Sequence, residues 1–84
     1  MIFNPPLKVN NVEVTSVNEQ THSIHFLVHI KGSIADLATM EVSAEVHRQV
    51  TNAVNYLCRE GYIKDHPQNW LTHVGVICNN HNNN

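Results

Sequence analysis

One segment governs what this chain can fold into, and its sequence supports two incompatible geometries. Across His22 to Ile30, the residues Ile24, Phe26, Val28 and Ile30 fall on one side of an extended chain and Ser23, His25, Leu27 and His29 on the other. That is the period of two expected of a half-buried strand. Wound as a helix, the same stretch lines up Ile24, Leu27, Val28 and Lys31 instead. The alternation and the β-branched content favour a strand locally, but local preference is weak and tertiary context overrides it. A strand here requires a sheet around it, whereas a helix implies a mostly helical domain.

The flanking sequence is easier to divide. Pro5-Pro6 bars helix near the start, and Val12 and Val14 alternate with polar neighbours as a strand would. The polar run Asn18-Glu19-Gln20-Thr21 suits a turn. Gly32 punctuates the chain, and Ser33 suits the N-cap of a short helix from Ile34 to Met40, with Asp36 near its positive end. Ser43 can cap a longer helix from Ala44 to Glu60, which holds no Pro or Gly and is stopped by Gly61. Val46, Val50, Ala53, Val54 and Leu57 form its apolar stripe, and Arg48, Thr51, Asn52, Asn55 and Arg59 lie broadly opposite. Tyr62-Ile63-Lys64 and Trp70-Leu71-Thr72, on either side of a turn from Asp65 to Asn69, read as a small hairpin. Residues 79–84 are an asparagine-rich tail expected to lie outside the globular domain of residues 1–78.

With 84 residues, 42% of them hydrophobic and 14% charged, the chain has the material for one small core and no more. Five Lys and Arg against seven Asp and Glu give a net charge of -2, so a polyanion gains no general attraction. No apolar run approaches the roughly 20 residues that cross a bilayer. The opening residues lack the basic start and apolar stretch of a secretory signal, so a cytoplasmic location is expected. Cys58 and Cys78 read as reduced thiols. Cys78, His81 and His73 are the nearest approach to a metal signature, short of the four ligands that structural zinc takes, and no metal or cofactor is expected. The seven histidines are scattered, and the carboxylates form no evident pair with a nucleophile or base, so catalysis is not expected.

The run from Ser33 to Ala38, then Val42-Ser43, then Val50 to Ile63, followed by Trp70-Leu71-Thr72 and Gly75, resembles winged helix-turn-helix DNA-binding domains over about Ser33 to Gly75. The resemblance implies a winged-helix-like fold that is α-rich with a C-terminal β-hairpin wing. In it the first helix would span Thr21 to Lys31, the second Ile34 to Met40, the third would be the recognition helix, and the wing would run from Tyr62 to Thr72. If His22 to Ile30 is a strand, the alternative is an α+β fold. That fold would have an N-terminal β-hairpin from Val12 to Ile30, or a three-stranded sheet with a third strand near Met40, packed on one long helix.

The first fold implies a small DNA-binding transcriptional regulator of phage or mobile-element type. Arg48 would meet guanine edges or phosphate, Asn52 adenine, and Thr51 backbone or a thymine methyl. Lys31, Lys64 and His66 would contact phosphates on the flanks. The second fold, together with the acidic balance, implies a protein-interaction module such as an inhibitor or adaptor of a host protein, with no DNA role. The expected partners are therefore double-stranded DNA or a host protein. A homodimer through an unpaired edge of the N-terminal strands is a further expectation.

Overall fold

The computed structural model describes residues 7–79, and in it the deciding segment is extended. Strands β1 (Leu7–Val9), β2 (Val12–Asn18) and β3 (Ser23–Lys31) form an antiparallel meander. Helix α1 (Met40–Arg59) then leads to β4 (Leu71–Asn79), which lies parallel to β3 and completes a sheet in the order β1-β2-β3-β4. Two 3-10 turns, Ile34–Ala38 and Pro67–Asn69, flank the helix.

The alternation in His22 to Ile30 prevails because the rest of the chain supplies what a strand needs. Val12 lies opposite Val28, Val14 opposite Phe26 and Val17 opposite Ile24, so six apolar side chains share the sheet face that α1 covers. Val14 and Val17 are three apart in sequence, and a strict period of two would turn one of them to solvent. A bulge between Val14 and Ser16 absorbs the extra residue, with the Thr15 hydroxyl donating to the His25 carbonyl at 3.1 Å. At the first hairpin, Asn10 takes the left-handed conformation, φ 58°, which asparagine tolerates better than most residues.

Helix α1 contributes Val50, Ala53, Val54 and Leu57 to the core, the spacing of one helical stripe. Twenty residues of helix cover about 30 Å at ~1.5 Å each, and nine residues of strand cover the same length at ~3.3 Å each. The helix therefore carries the chain back along the whole of β3, so that the next strand starts beside Ser23 and runs parallel.

The winged-helix-like architecture is not that of this chain. The segment expected as its first helix, Thr21 to Lys31, is β3, and its second helix is only the 3-10 turn Ile34–Ala38. The third begins at Met40, capped by Thr39, whose hydroxyl accepts from the Val42 N–H at 3.3 Å, in place of a start at Ala44 capped by Ser43. Tyr62 to Thr72 forms no wing. Ile63 and Trp70 are drawn into the core, and the Leu71 N–H is bonded to the His22 carbonyl at 2.7 Å, so the chain is committed to β3. Met40 begins a helix, leaving no third strand there. The α+β alternative fits the sheet and the long helix, with β1 and β4, neither of them foreseen, flanking its hairpin in place of a strand near Met40.

Candidate functional site

The residues expected to contact DNA are dispersed. Arg48, Thr51 and Asn52 are exposed on α1, Lys31 ends β3, and Lys64 and His66 lie between α1 and the Pro67–Asn69 turn, all exposed. Arg48 and Asn52 border one depression with Val9 and Asn10, Thr51 borders another with Trp70, and Lys31 and Lys64 border two more. Arg48, Thr51 and Asn52 thus share the exposed side of α1, and Lys31, Lys64 and His66 are carried on other segments. The Arg48 guanidinium is engaged by its own helix, with Nε donating to Glu45 Oε1 at 3.2 Å and a second bond to Oε2. This pairing raises the Arg48 pKa and holds the Glu45 carboxyl below the usual range, with Gln49 adding a bond at 2.8 Å. Arg48 thus meets any anion with a carboxylate already in its fork.

Between α1 and β4 the chain is fixed by Asp65, which adopts φ 84°. Asp65 Oδ1 accepts from the His66 N–H at 2.9 Å and from Asn69 Nδ2 at 3.0 Å, and Oδ2 lies 3.5 Å from His22 Nε2. These contacts, led by the His66 N–H, lower the Asp65 pKa. Cys58 Sγ donates to the Asp65 carbonyl at 3.5 Å, and burial pushes the thiol pKa up, away from the thiolate that would make it reactive. Trp70 packs in the core and donates from Nε1 to the Lys64 carbonyl at 2.8 Å. The effect of this knot is to deliver Leu71 to the edge of the sheet in fixed register.

β4 is where the fold leaves the most unfinished bonding. Because the Leu71 N–H points to β3, the backbone groups of His73, Gly75, Ile77 and Asn79 point the same way. The N–H and C=O groups of Thr72, Val74, Val76 and Cys78 therefore point outward, and no strand among the described residues pairs with them. Their side chains share the helix side of the sheet, since Thr72 is in register with Ile24, Val74 with Phe26 and Val76 with Val28. Helix α1 packs over β2 and β3, so this flank is thinly covered. Val74 is 40% exposed, and a cleft of about 440 Å³ lined by Val50, Val54, Trp70 and Thr72 opens beside it. On the opposite face Leu71 is 60% exposed and His73 stacks on His25 at 4.6 Å between ring centroids.

Among the described residues β4 lacks the shortness, charges, proline and bulge that usually protect an edge strand. It is nine residues long and holds no Lys, Arg, Asp, Glu or Pro. The register with β3 is unbroken from Leu71 to Asn79, so no bulge twists it away. The other edge, β1, is three residues long with Lys8 at its centre. Sequence reasoning missed β4, although Thr72, Val74, Val76 and Cys78 carry an alternating signal. The expected wing ends at Thr72 with Gly75 beyond it, and the strand's last residue, Asn79, falls in the expected tail.

Among the described residues no three His, Cys, Asp or Glu side chains gather to hold a metal ion, and His81 lies outside those residues. Among them, too, no helix is long and apolar enough to cross a membrane. Comparison with protein families, with curated proteins and with solved structures finds no match.

Proposed function

We propose that this protein is an interaction module that accepts an extended polypeptide strand along the outer edge of β4. The observation that carries this reading is the row of outward N–H and C=O groups at Thr72, Val74, Val76 and Cys78, on a long, uncharged strand. Main-chain bonds along such an edge supply affinity, and alternate side chains of the incoming strand meet the flanking surface and supply specificity. On the helix side that surface is Val74 with a cleft of mixed lining, Val50, Val54 and Trp70 beside His47, Thr51 and Asn55, which offers apolar contact and polar partners to alternate side chains. A net charge of -2 also fits a polypeptide ligand better than a polyanion. The helix face of Arg48, Thr51 and Asn52 has weaker support as a DNA contact, because Arg48 is already paired with Glu45.

A synthetic nine-residue peptide with the sequence of β4, titrated into isotope-labelled protein, tests the reading. Amide shifts concentrated at Thr72, Val74, Val76 and Cys78, with slowed exchange at those positions, are the expected outcome. A peptide that leaves those amides unmoved, while duplex DNA shifts those of Arg48, Thr51 and Asn52, would overturn it.

A further inference from the structure

We infer that the strand this edge accepts is β4 of a second copy, giving a two-fold dimer with one continuous eight-stranded sheet; the inference rests on the strand-acceptor reading above. The register follows from which groups are free. An antiparallel pair bonds through residues directly opposite one another whose N–H and C=O groups both face the partner. Thr72, Val74, Val76 and Cys78 meet that condition on each copy. Placing the two-fold axis at Gly75 sets Val74 opposite the partner's Val76 and Thr72 opposite the partner's Cys78. Centring the axis on Val74 or on Val76 leaves one of the four without a mate inside β4. The Gly75 axis uses all four on both copies and closes about eight main-chain hydrogen bonds.

The side chains agree with this register. The axis falls on a non-hydrogen-bonded position, where opposed Cα atoms come within about 4.5 Å and side chains crowd most. Glycine stands there, against glycine. On the helix side, Val74 and Val76 of the two copies form a row of β-branched cross-strand pairs, which covers the 40% exposed Val74. No ionisable Lys, Arg, Asp or Glu lies in the seam, so two chains of net charge -2 meet there without like charges opposed. The flanks are mixed as well, with Lys31 and Glu41 at the Asn79 end and Lys64 and Asp65 at the Leu71 end, and the antiparallel arrangement sets one end of each copy beside the other.

The area places the interface among the small ones. A seam about 30 Å long and about 10 Å thick buries roughly 300 Å² per copy, well below the roughly 1,200 Å² in total at which stable interfaces begin. An interface of that size belongs with the weak, transient ones, so the dimer forms in concentrated and not in nanomolar solutions of the chain.

Sedimentation velocity of the full chain from about 5 µM to about 500 µM tests this. A monomer that converts to dimer across that range is expected. In Val74→Lys, diagonal lysines would oppose one another across the axis, and association should weaken at least about tenfold with the melting temperature unchanged. Val76→Pro removes only an outward N–H and should have the same effect, whereas Ile77→Pro removes an N–H that faces β3 and should damage the fold itself. The two Cys78 thiols lie about 20 Å apart in this register, so a reducing agent should change nothing. A dimer that disappears with reductant, or that both edge variants leave intact, would place the contact elsewhere and overturn the inference. A chain that stays monomeric while the β4 peptide still binds would overturn the second copy as occupant and leave the strand-acceptor reading standing. Failure of both would remove both.

Discussion

Leu57 sits where α1 meets the sheet with no exposure at all, among Val12, Val14, Ile24 and Val28, which are equally enclosed. Leu57→Ala should lower unfolding stability by about 2–5 kcal/mol, the range for a buried leucine whose cavity closes only in part, and the shift of the urea midpoint measures it. Asp65 acts differently, through bonds to its carboxylate. Its folded pKa lies below the ordinary aspartate value of 3.8, so the stability it contributes is present above that value and is lost as the pH falls through the lower, folded one. Asp65→Ala should therefore lower the melting temperature at neutral pH. The gap from the natural chain should narrow as the pH drops below 3.8, where protonation removes the same interaction from the natural chain. A gap that stays constant down to acid pH would assign the effect to the turn's backbone geometry instead.

At the scale of the elements, the legible parts of the sequence were those in which local pattern and tertiary demand coincide. The stripe Val50, Ala53, Val54 and Leu57 marks the buried face of α1, and Gly61 marks its stop with φ 83°. Val12 and Val14 mark β2. The start of α1 was less legible because Ser43 and Thr39 both offer a capping hydroxyl, and only the geometry shows that the Val42 N–H is bound by Thr39. Thr39→Ala should accordingly cost about 1 kcal/mol, with Ser43→Ala near neutral, by thermal or urea melts. β3 was ambiguous because Ile24, Phe26, Val28 and Ile30 satisfy a period of two while Ile24, Leu27 and Val28 satisfy a helical one, and the partners Val12, Val14 and Val17 that settle the matter are seen only once the hairpin is closed. β4 carries its own alternation at Thr72, Val74 and Val76, but its place beside β3 was not legible, because a parallel pairing joins residues some 48 positions apart, as Ser23 with Leu71, and no local signal specifies it.

For the whole molecule, one asymmetry connects fold to function. Among the described residues the sheet ends on one side in a short β1 with a lysine and on the other in a long β4 without charge, proline or bulge. A chain of this size has one small core, and α1 spends its apolar face on β2 and β3, so β4 is held mainly by main-chain bonds to a single neighbour. The same arrangement that leaves β4 half-bonded makes it the place where another polypeptide adds bonds without displacing any. The helix face that resembled a recognition helix is, in this fold, the back of the layer that covers the sheet.

The most direct test is amide hydrogen exchange along β4, read residue by residue in dilute protein. The register with β3 requires the N–H groups of His73, Gly75 and Ile77 to be protected by β3, and those of Thr72, Val74 and Val76 to exchange rapidly from the open edge. Alternating slow and fast exchange from Thr72 to Ile77 is the expected result. Uniform exchange along the strand, whether fast or slow, would contradict a parallel β4 with an open outer edge.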